Sequence, residues 1–213
     1  MTVDDLDLVQ PIVLLDAGTH EDACRAVALA SVTAWLTHHE HPSWGPWLAG
    51  RFTKTVRRAK NEHALTRALD AGPVVVERVG EAAAAALVPV TYFEMDRYVR
   101  KLQVTGLELP RCGSEDVATE GGPTILVNTD LGMSTGKSAA QVAHGLFAWL
   151  LSLDEDARTD WLYGGRRFDL AEVAAAELAT SPELSIHDAG LTEIAPGSAT
   201  VKVLEPGRHT IEA

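Results

Sequence analysis

The sequence predicts an α/β protein in which a mixed β-sheet is flanked by helices, built as two related units. Three observations carry this expectation. Short β-branched apolar runs alternate with longer stretches of helical spacing, the pattern of strands covered by helices. The chain also matches itself at an offset of 114 residues. Ten of the 39 ungapped pairs between 12–50 and 126–164 are identical, including Ala34-Trp35-Leu36 against Ala148-Trp149-Leu150 and Trp47-Leu48 against Trp161-Leu162. The chain has five tryptophans, so two coincidences in one register indicate duplication rather than shared composition. Finally, residues 105–122 (TGLELPRCGSEDVATEGG) have no apolar period and read as a linker between a unit at 8–104 and a unit at 123–208. The expected arrangement is a pseudo-dimer within one chain, monomeric in solution.

In the first unit, 11–15 is an apolar strand and 21–36 an Ala-rich helix. Residues 52–58 alternate as a strand, and 62–69 are helical. Strands are expected at 73–79, 89–92 and 99–104, with an Ala-rich helical insert at 81–87. In the second unit, 124–130 is a buried strand leading into the loop 131–136. Ser134 or Thr135 caps a helix running to about residue 153, with Val142, Leu146, Leu150 and Leu153 on its apolar face. Helices are expected at 154–163 and 170–179. Strands follow at 183–187 and 199–204, joined through Ala195-Pro-Gly-Ser198.

Composition narrows the function classes. With 46% hydrophobic and 23% charged residues, the chain is globular rather than disordered. No apolar run approaches the ~18 residues of a membrane span, and the acidic N-terminus lacks the layout of a signal peptide. Two cysteines, Cys24 and Cys112, are too few for a disulfide framework and fit a reducing cytoplasm. Eighteen basic against 30 acidic residues give a net charge of −12, which argues against broad non-specific nucleic-acid binding. His38-His39-Glu40-His41 lacks the helical spacing of a metal motif and reads as a solvated loop, so no metal site is expected. Gly132-Met-Ser-Thr-Gly-Lys-Ser138 has three residues between its glycines where a P-loop needs four, so a nucleotide-hydrolase reading is set aside.

Chemistry concentrates on the helix of the second unit. Lys137, Gln141 and His144 recur at i, i+4 and i+7, which puts them on one face. Lys137 stands in the first turn, where free N–H groups and the helix dipole favour negative charge; it can stabilise a developing oxyanion or hold a phosphate. A histidine at 144 titrates near neutrality when unperturbed and can move protons.

Two stretches carry a family resemblance. Thr129-Asp-Leu-Gly-Met-Ser-Thr-Gly-Lys-Ser-Ala-Ala-Gln-Val-Ala-His144 resembles the first strand–loop–helix signature of the type II peptidyl-tRNA hydrolases, and His187-Asp-Ala-Gly-Leu-Thr-Glu-Ile-Ala-Pro-Gly-Ser198 is similar to their second. The resemblance spans about 124–207. It implies a small α/β domain that hydrolyses the ester between a peptide and the 3′ ribose of tRNA, with no metal or organic cofactor. It also implies functional roles for Lys137, Gln141, His144, Asp188 and Thr192, with Thr129 and Asp130 near the site. Ester hydrolysis gives these types a purpose: Asp188 positions and activates water, and Lys137 with helix N–H groups stabilises the oxyanion. His144, Gln141 and Thr192 then orient water or ribose.

The chain departs from that pattern in places. In the first unit Lys137, Gln141 and His144 are matched by Ala23, Val27 and Ala30, and the second signature by Val79-Gly-Glu-Ala82, so one active site is expected, in the second unit. Thr135 and Leu191 stand where the family usually carries lysine and arginine. Residues 123–213 hold six basic and 13 acidic side chains. A grip on tRNA would then fall to the strand of the first unit, through Arg51, Lys54, Arg57 and Arg58 as a basic face. The alternatives are a catalytically silent binding or regulatory protein of the same fold, and a hydrolase of another acyl ester or amide.

Overall fold

The computed structural model describes residues 7–112, 122–178, 184–188 and 193–206. In chain order the first half contains β1 (Leu8–Leu15), α1 (His20–His38), α2 (Trp44–Ala49), β2 (Thr53–Ala59), α3 (Glu62–Ala68), β3 (Val74–Val79), β4 (Ala82–Leu87), β5 (Val90–Thr91) and α4 (Arg97–Lys101). The second contains β6 (Thr124–Asn128), α5 (Thr135–Ser152), α6 (Glu155–Tyr163), β7 (Asp169–Val173), α7 (Ala175–Leu178), β8 (Leu184–His187) and β9 (Ala199–Leu204). These form two mixed sheets flanked by helices. The first has the order β2-β1-β4-β3 with β5 added to β1, and the second β7-β6-β9-β8.

The two sheets are wired alike. β1 runs parallel to β2 and antiparallel to β4, which pairs antiparallel with β3. β6, β7, β9 and β8 repeat those senses. Local details repeat at the same 114-residue offset. Trp47 Nε1 donates to Thr53 O (2.8 Å), and Trp161 Nε1 donates to Arg167 O (2.7 Å). Phe52 and Arg166, both non-glycine, both adopt φ of 56°. A side chain in the left-handed region is uncommon, so its recurrence at matched positions marks a shared backbone path.

The halves meet along α1 and α5, which lie against each other over one continuous apolar core. Alanines at 23, 26, 30 and 34 of α1 let the helices approach. Trp35, Trp44, Trp47 and Phe52 of the first half surround Phe147 of α5, with ring centroids 5.0–6.2 Å away. Arg166 reaches across to Thr33 Oγ1 (2.6 Å) and pairs with Glu77. Residues 107–112 form a strap over both helix starts. His20 N donates to Pro110 O (2.8 Å), Leu109 N to Thr135 Oγ1 (3.0 Å), and Cys112 N to Glu21 Oε1 (3.1 Å). Leu107, at its start, is buried, so this part of the expected linker is bound to both halves.

Three segments differ from their sequence expectation. Residues 82–87 are a strand, not a helix. Six residues are too few to nucleate a helix on propensity alone, and the two-residue turn at Gly80-Glu81 folds them back between β3 and β1. Residues 170–173 belong to β7 because β6 offers an open edge for parallel pairing; helix is confined to Ala175–Leu178 among the described residues. At 99–104, the expected strand is α4 followed by a single bridge, Arg58 with Gln103. Asp96 caps that helix by accepting from Tyr98 N (2.7 Å) and Val99 N (3.2 Å).

Candidate active site

α5 begins at the C-terminal end of β6, where a short 3-10 turn and Gly132 (φ 55°) reverse the chain. Ser134 caps the helix by accepting from Lys137 N (3.3 Å). Glu193 secures that cap, accepting from Ser134 N (3.1 Å) and Ser134 Oγ (2.8 Å). Lys137 and Gln141 therefore leave the first two turns of a fixed helix. β8 ends alongside, so that Asp188 meets both. The Lys137 ammonium pairs with Asp188 Oδ2, and Gln141 Nε2 donates to the same oxygen (2.7 Å). Gln141 is oriented in turn by Thr200 of β9, whose hydroxyl contacts Gln141 Oε1 (2.8 Å) and Ile186 O (3.0 Å). The carboxylate is nearly fully buried, so this ion pair is held by hydrogen bonds rather than exposed to water's screening.

These groups open onto a pocket of about 410 Å³. Lys137, Gln141, His144, His187, Asp188 and Glu193 form its second-half wall. The opposite wall is the first half: β2 with Arg51, and Tyr92, Val104 and Thr105 beyond it. Sequence reading assigns the strand at Arg51, Lys54 and Arg57 a grip on tRNA, and these residues line the pocket; it does not single out Tyr92, Val104 or Thr105, because contacts between residues far apart in the chain leave no local pattern. Glu193 and Thr200 were also missed; the position of Glu193 directly after Thr192 in the second signature was the available signal.

The remaining candidates are distributed unevenly. His144 lines the pocket but packs on the Phe52 ring (centroids 4.6 Å apart). Burial, followed by the nearby Lys54 amine, pushes its pKa far below the ordinary histidine value, so the imidazole is neutral near pH 7 rather than a switching proton carrier. Thr129 Oγ1 donates to Val173 O (3.0 Å), and Asp130 Oδ2 accepts from Ala175 N (3.0 Å). Both brace the β6–β7 edge, and neither is among the residues lining the pocket. Thr192 lies outside the described residues.

β2 does not present a solvated basic face. Lys54 Nζ is enclosed by the rings of Phe52 (3.7 Å), Trp47 (4.6 Å) and Phe147 (4.8 Å), and burial lowers its pKa well below the ordinary lysine value. Arg57 is 5% exposed; its Nη1 donates to Arg100 O (2.9 Å), Leu102 O (3.3 Å) and Val99 O (3.4 Å), tying down the end of α4. Arg58 pairs with Asp16, and Arg51 lies 3.3 Å from Asp7. The physical reason is parity: Lys54 shares its face of β2 with Phe52 and Val56, and that face meets α5.

Residues 123–211 match the family model described as peptidyl-tRNA hydrolase PTH2. A peptidyl-tRNA hydrolase of Metallosphaera sedula is 33% identical over 98 residues, covering 39% of this chain and 84% of that protein. One from Thermococcus sibiricus is 35% identical over 101 residues, covering 41% and 85% respectively. The chain belongs to the peptidyl-tRNA hydrolase PTH2 family. The probable peptidyl-tRNA hydrolase 2 of Schizosaccharomyces pombe is 37% identical over 97 residues; there the match spans 39% of this chain and about half (47%) of the relative. The family match contains Lys137, Gln141, His144 and Asp188 and excludes the first-half wall of the pocket. Among the described residues, no group of three or more His, Cys, Asp or Glu side chains could hold a metal ion, and no helix is long and apolar enough to cross a membrane.

Proposed function

We propose that this chain hydrolyses the ester linking peptide to the 3′ ribose of tRNA, using one site at Lys137, Gln141 and Asp188. The observation that carries the reading is the convergence of Lys137 and Gln141 on Asp188 Oδ2 at the floor of a pocket, within a chain of the PTH2 family. Asp188 takes a proton from water as the water oxygen attacks the ester carbonyl. The tetrahedral intermediate develops an oxyanion, and Lys137 at the positive end of α5 stabilises it. Collapse breaks the bond to the 3′ oxygen, which leaves as the ribose hydroxyl after taking the proton back from Asp188. Gln141, fixed by Thr200, holds the carboxylate in one orientation throughout. The neutral His144 serves as a shaped wall.

The two halves act as an internal pseudo-dimer, a degenerate unit at 8–104 and an active unit at 123–208. Support comes from the matched strand orders, the matched left-handed residues and the shared α1–α5 core. Incubation with labelled peptidyl-tRNA tests the reading: release of free peptide and intact tRNA by the parent, abolished in Asp188→Asn, is expected. Hydrolysis of a simple ester with peptidyl-tRNA left intact would overturn the substrate assignment.

A further inference from the structure

The proposed substrate has two very different ends, and the pocket has two different sides. On the second-half side stand Asp188 and Glu193. On the first-half side the pocket wall runs into Tyr92, beyond which the surface becomes aromatic and cationic. Tyr92 and Phe93, adjacent in the chain, are 41% and 65% exposed. The Arg100 guanidinium stands over the Tyr92 ring at 5.7 Å. Arg97 and Lys101 are exposed on the same short helix. The two acids of this segment are engaged elsewhere: Glu94 accepts from Thr91 Oγ1 (2.8 Å), and Asp96 caps the N-terminus of α4. Arg100 and Lys101 stand at the other end of the helix, which Arg57 holds against β2.

We propose that Tyr92, Phe93 and the Arg97–Lys101 helix form the docking surface for the single-stranded 3′ end of tRNA, supplied by the degenerate half. This rests on the peptidyl-tRNA reading above and adds the part of the molecule that receives the RNA. Flat exposed rings take unpaired bases by stacking, and the cations meet the phosphates that link them. With the ester at Lys137 and Asp188, the terminal nucleoside occupies the pocket and the preceding nucleotides leave past Tyr92. The peptide leaves on the side of Glu193, where no phosphate would be welcome. The arrangement lets a chain of net charge −12 offer RNA a local group of cations, Arg97, Arg100 and Lys101, at one rim of the site.

The test is binding of deacylated tRNA, which carries no ester and therefore reports on docking whether or not hydrolysis occurs. Affinity is measured across a salt series for wild type, Arg100→Glu/Lys101→Glu, the milder Arg100→Gln/Lys101→Gln, and Phe93→Ala, each first checked for unchanged thermal unfolding. The charge variants should lose roughly tenfold or more in affinity at low salt and flatten the log–log salt slope by ~0.7–0.9 for each phosphate contact removed. Phe93→Ala should lose roughly tenfold with the slope unchanged. Wild type should also bind tRNA trimmed of its unpaired 3′ nucleotides more weakly, and Phe93→Ala should make no further difference to that trimmed RNA. Affinities of folded variants within twofold of wild type, or equal binding of intact and trimmed tRNA, would overturn the proposal. Absence of salt-dependent binding by wild type would overturn it as well. Binding as expected without peptide release from peptidyl-tRNA would leave the surface standing and remove the hydrolase reading alone.

Discussion

The two halves have the same strand order and the same tryptophan-anchored turn after their second helix, yet one carries polar chemistry and the other a packed apolar face. On α5, Lys137, Gln141 and His144 border a pocket; on α1, the matched Ala23, Val27 and Ala30 are fully buried. The difference extends to the sheet. Thr200, which orients Gln141, corresponds through the pairing of Val127 with Val201 and of Val13 with Ala85 to Ala84, also fully buried. It extends to the connection as well. β3 and β4 are joined by the two residues Gly80-Glu81, tight enough that a Cβ on Gly80 would lie 2.4 Å from Asp22 Oδ2. β8 and β9 are joined by residues 188–198, a connection that starts with Asp188. In the second half the polar first two turns of α5 meet Asp188 and Glu193, which come from that longer connection. The first half has neither, and it lines the opposite wall of the pocket.

Separating the halves is the strongest way to break the comparison. Deleting residues 1–118 uncovers Phe147 and the α1-facing side of α5, an apolar surface far larger than a scattered exposed residue. The fragment 119–213 is expected to aggregate or self-associate in light scattering after size-exclusion chromatography, whereas the full chain runs as a monomer. A stable monomeric fragment would show that the second half does not depend on the first.

Next in size is loss of the polar set. Lys137→Ala should lower kcat roughly 10²–10³-fold, the effect of removing one oxyanion donor, and Asp188→Asn should be at least as damaging; steady-state kinetics on peptidyl-tRNA decide it. Unchanged rates in both variants would remove the site assignment. This pair of residues is also where the sequence was most informative. Helical spacing placed Lys137, Gln141 and His144 on one face, and the resemblance supplied Asp188. What it could not show was environment. Lys54 looked like part of a basic strand because its aromatic cover comes partly from Phe147, 93 positions away. Residues 82–87 looked helical because alanine favours helices in isolation, while here its small size lets α1 pack on the sheet. The span 170–173 lacked strand character of its own and takes it from β6.

The junction between the halves gives a pH test. His20, 3.0 Å from Thr135 Oγ1 at the start of α5, has its pKa lowered to about 4 by burial and then by Arg111, with Glu21 opposing. In the unfolded chain the ordinary value near 6.5 applies, so the unfolded state binds more protons between those values and stability rises with pH there. The contribution is complete above about pH 6.5 and is lost as the pH falls toward 4, a total of roughly 3 kcal/mol at 1.36 kcal/mol per unit. His144, also held neutral by burial, adds loss in the same direction. Denaturant titrations of His20→Gln should show a shallower decline from pH 6.5 to 4 than wild type. An identical decline would mean that the junction histidine does not report on the interface.

The smallest expected effect sharpens the comparison most finely, because it exchanges one atom group between matched positions. Thr200 is fully buried, and its hydroxyl bridges Gln141 Oε1 and Ile186 O. Thr200→Val keeps the shape and leaves both oxygens without that partner, a cost of about 1–3 kcal/mol. Gln141 then loses the contact that fixes its amide on Asp188, so kcat should fall as well, by less than in Lys137→Ala. Ala84→Thr places the same hydroxyl in the first half, where Val27 stands in the position of Gln141. It adds volume to a closed core and should also cost about 1–3 kcal/mol, but with kcat unchanged because no catalytic orientation depends on it. Matched losses of stability with a kcat effect in Thr200→Val alone would tie Thr200 to the chemistry through Gln141. Equal kcat in both variants would reduce Thr200 to a packing residue and leave Asp188 oriented by Lys137 without help from the sheet.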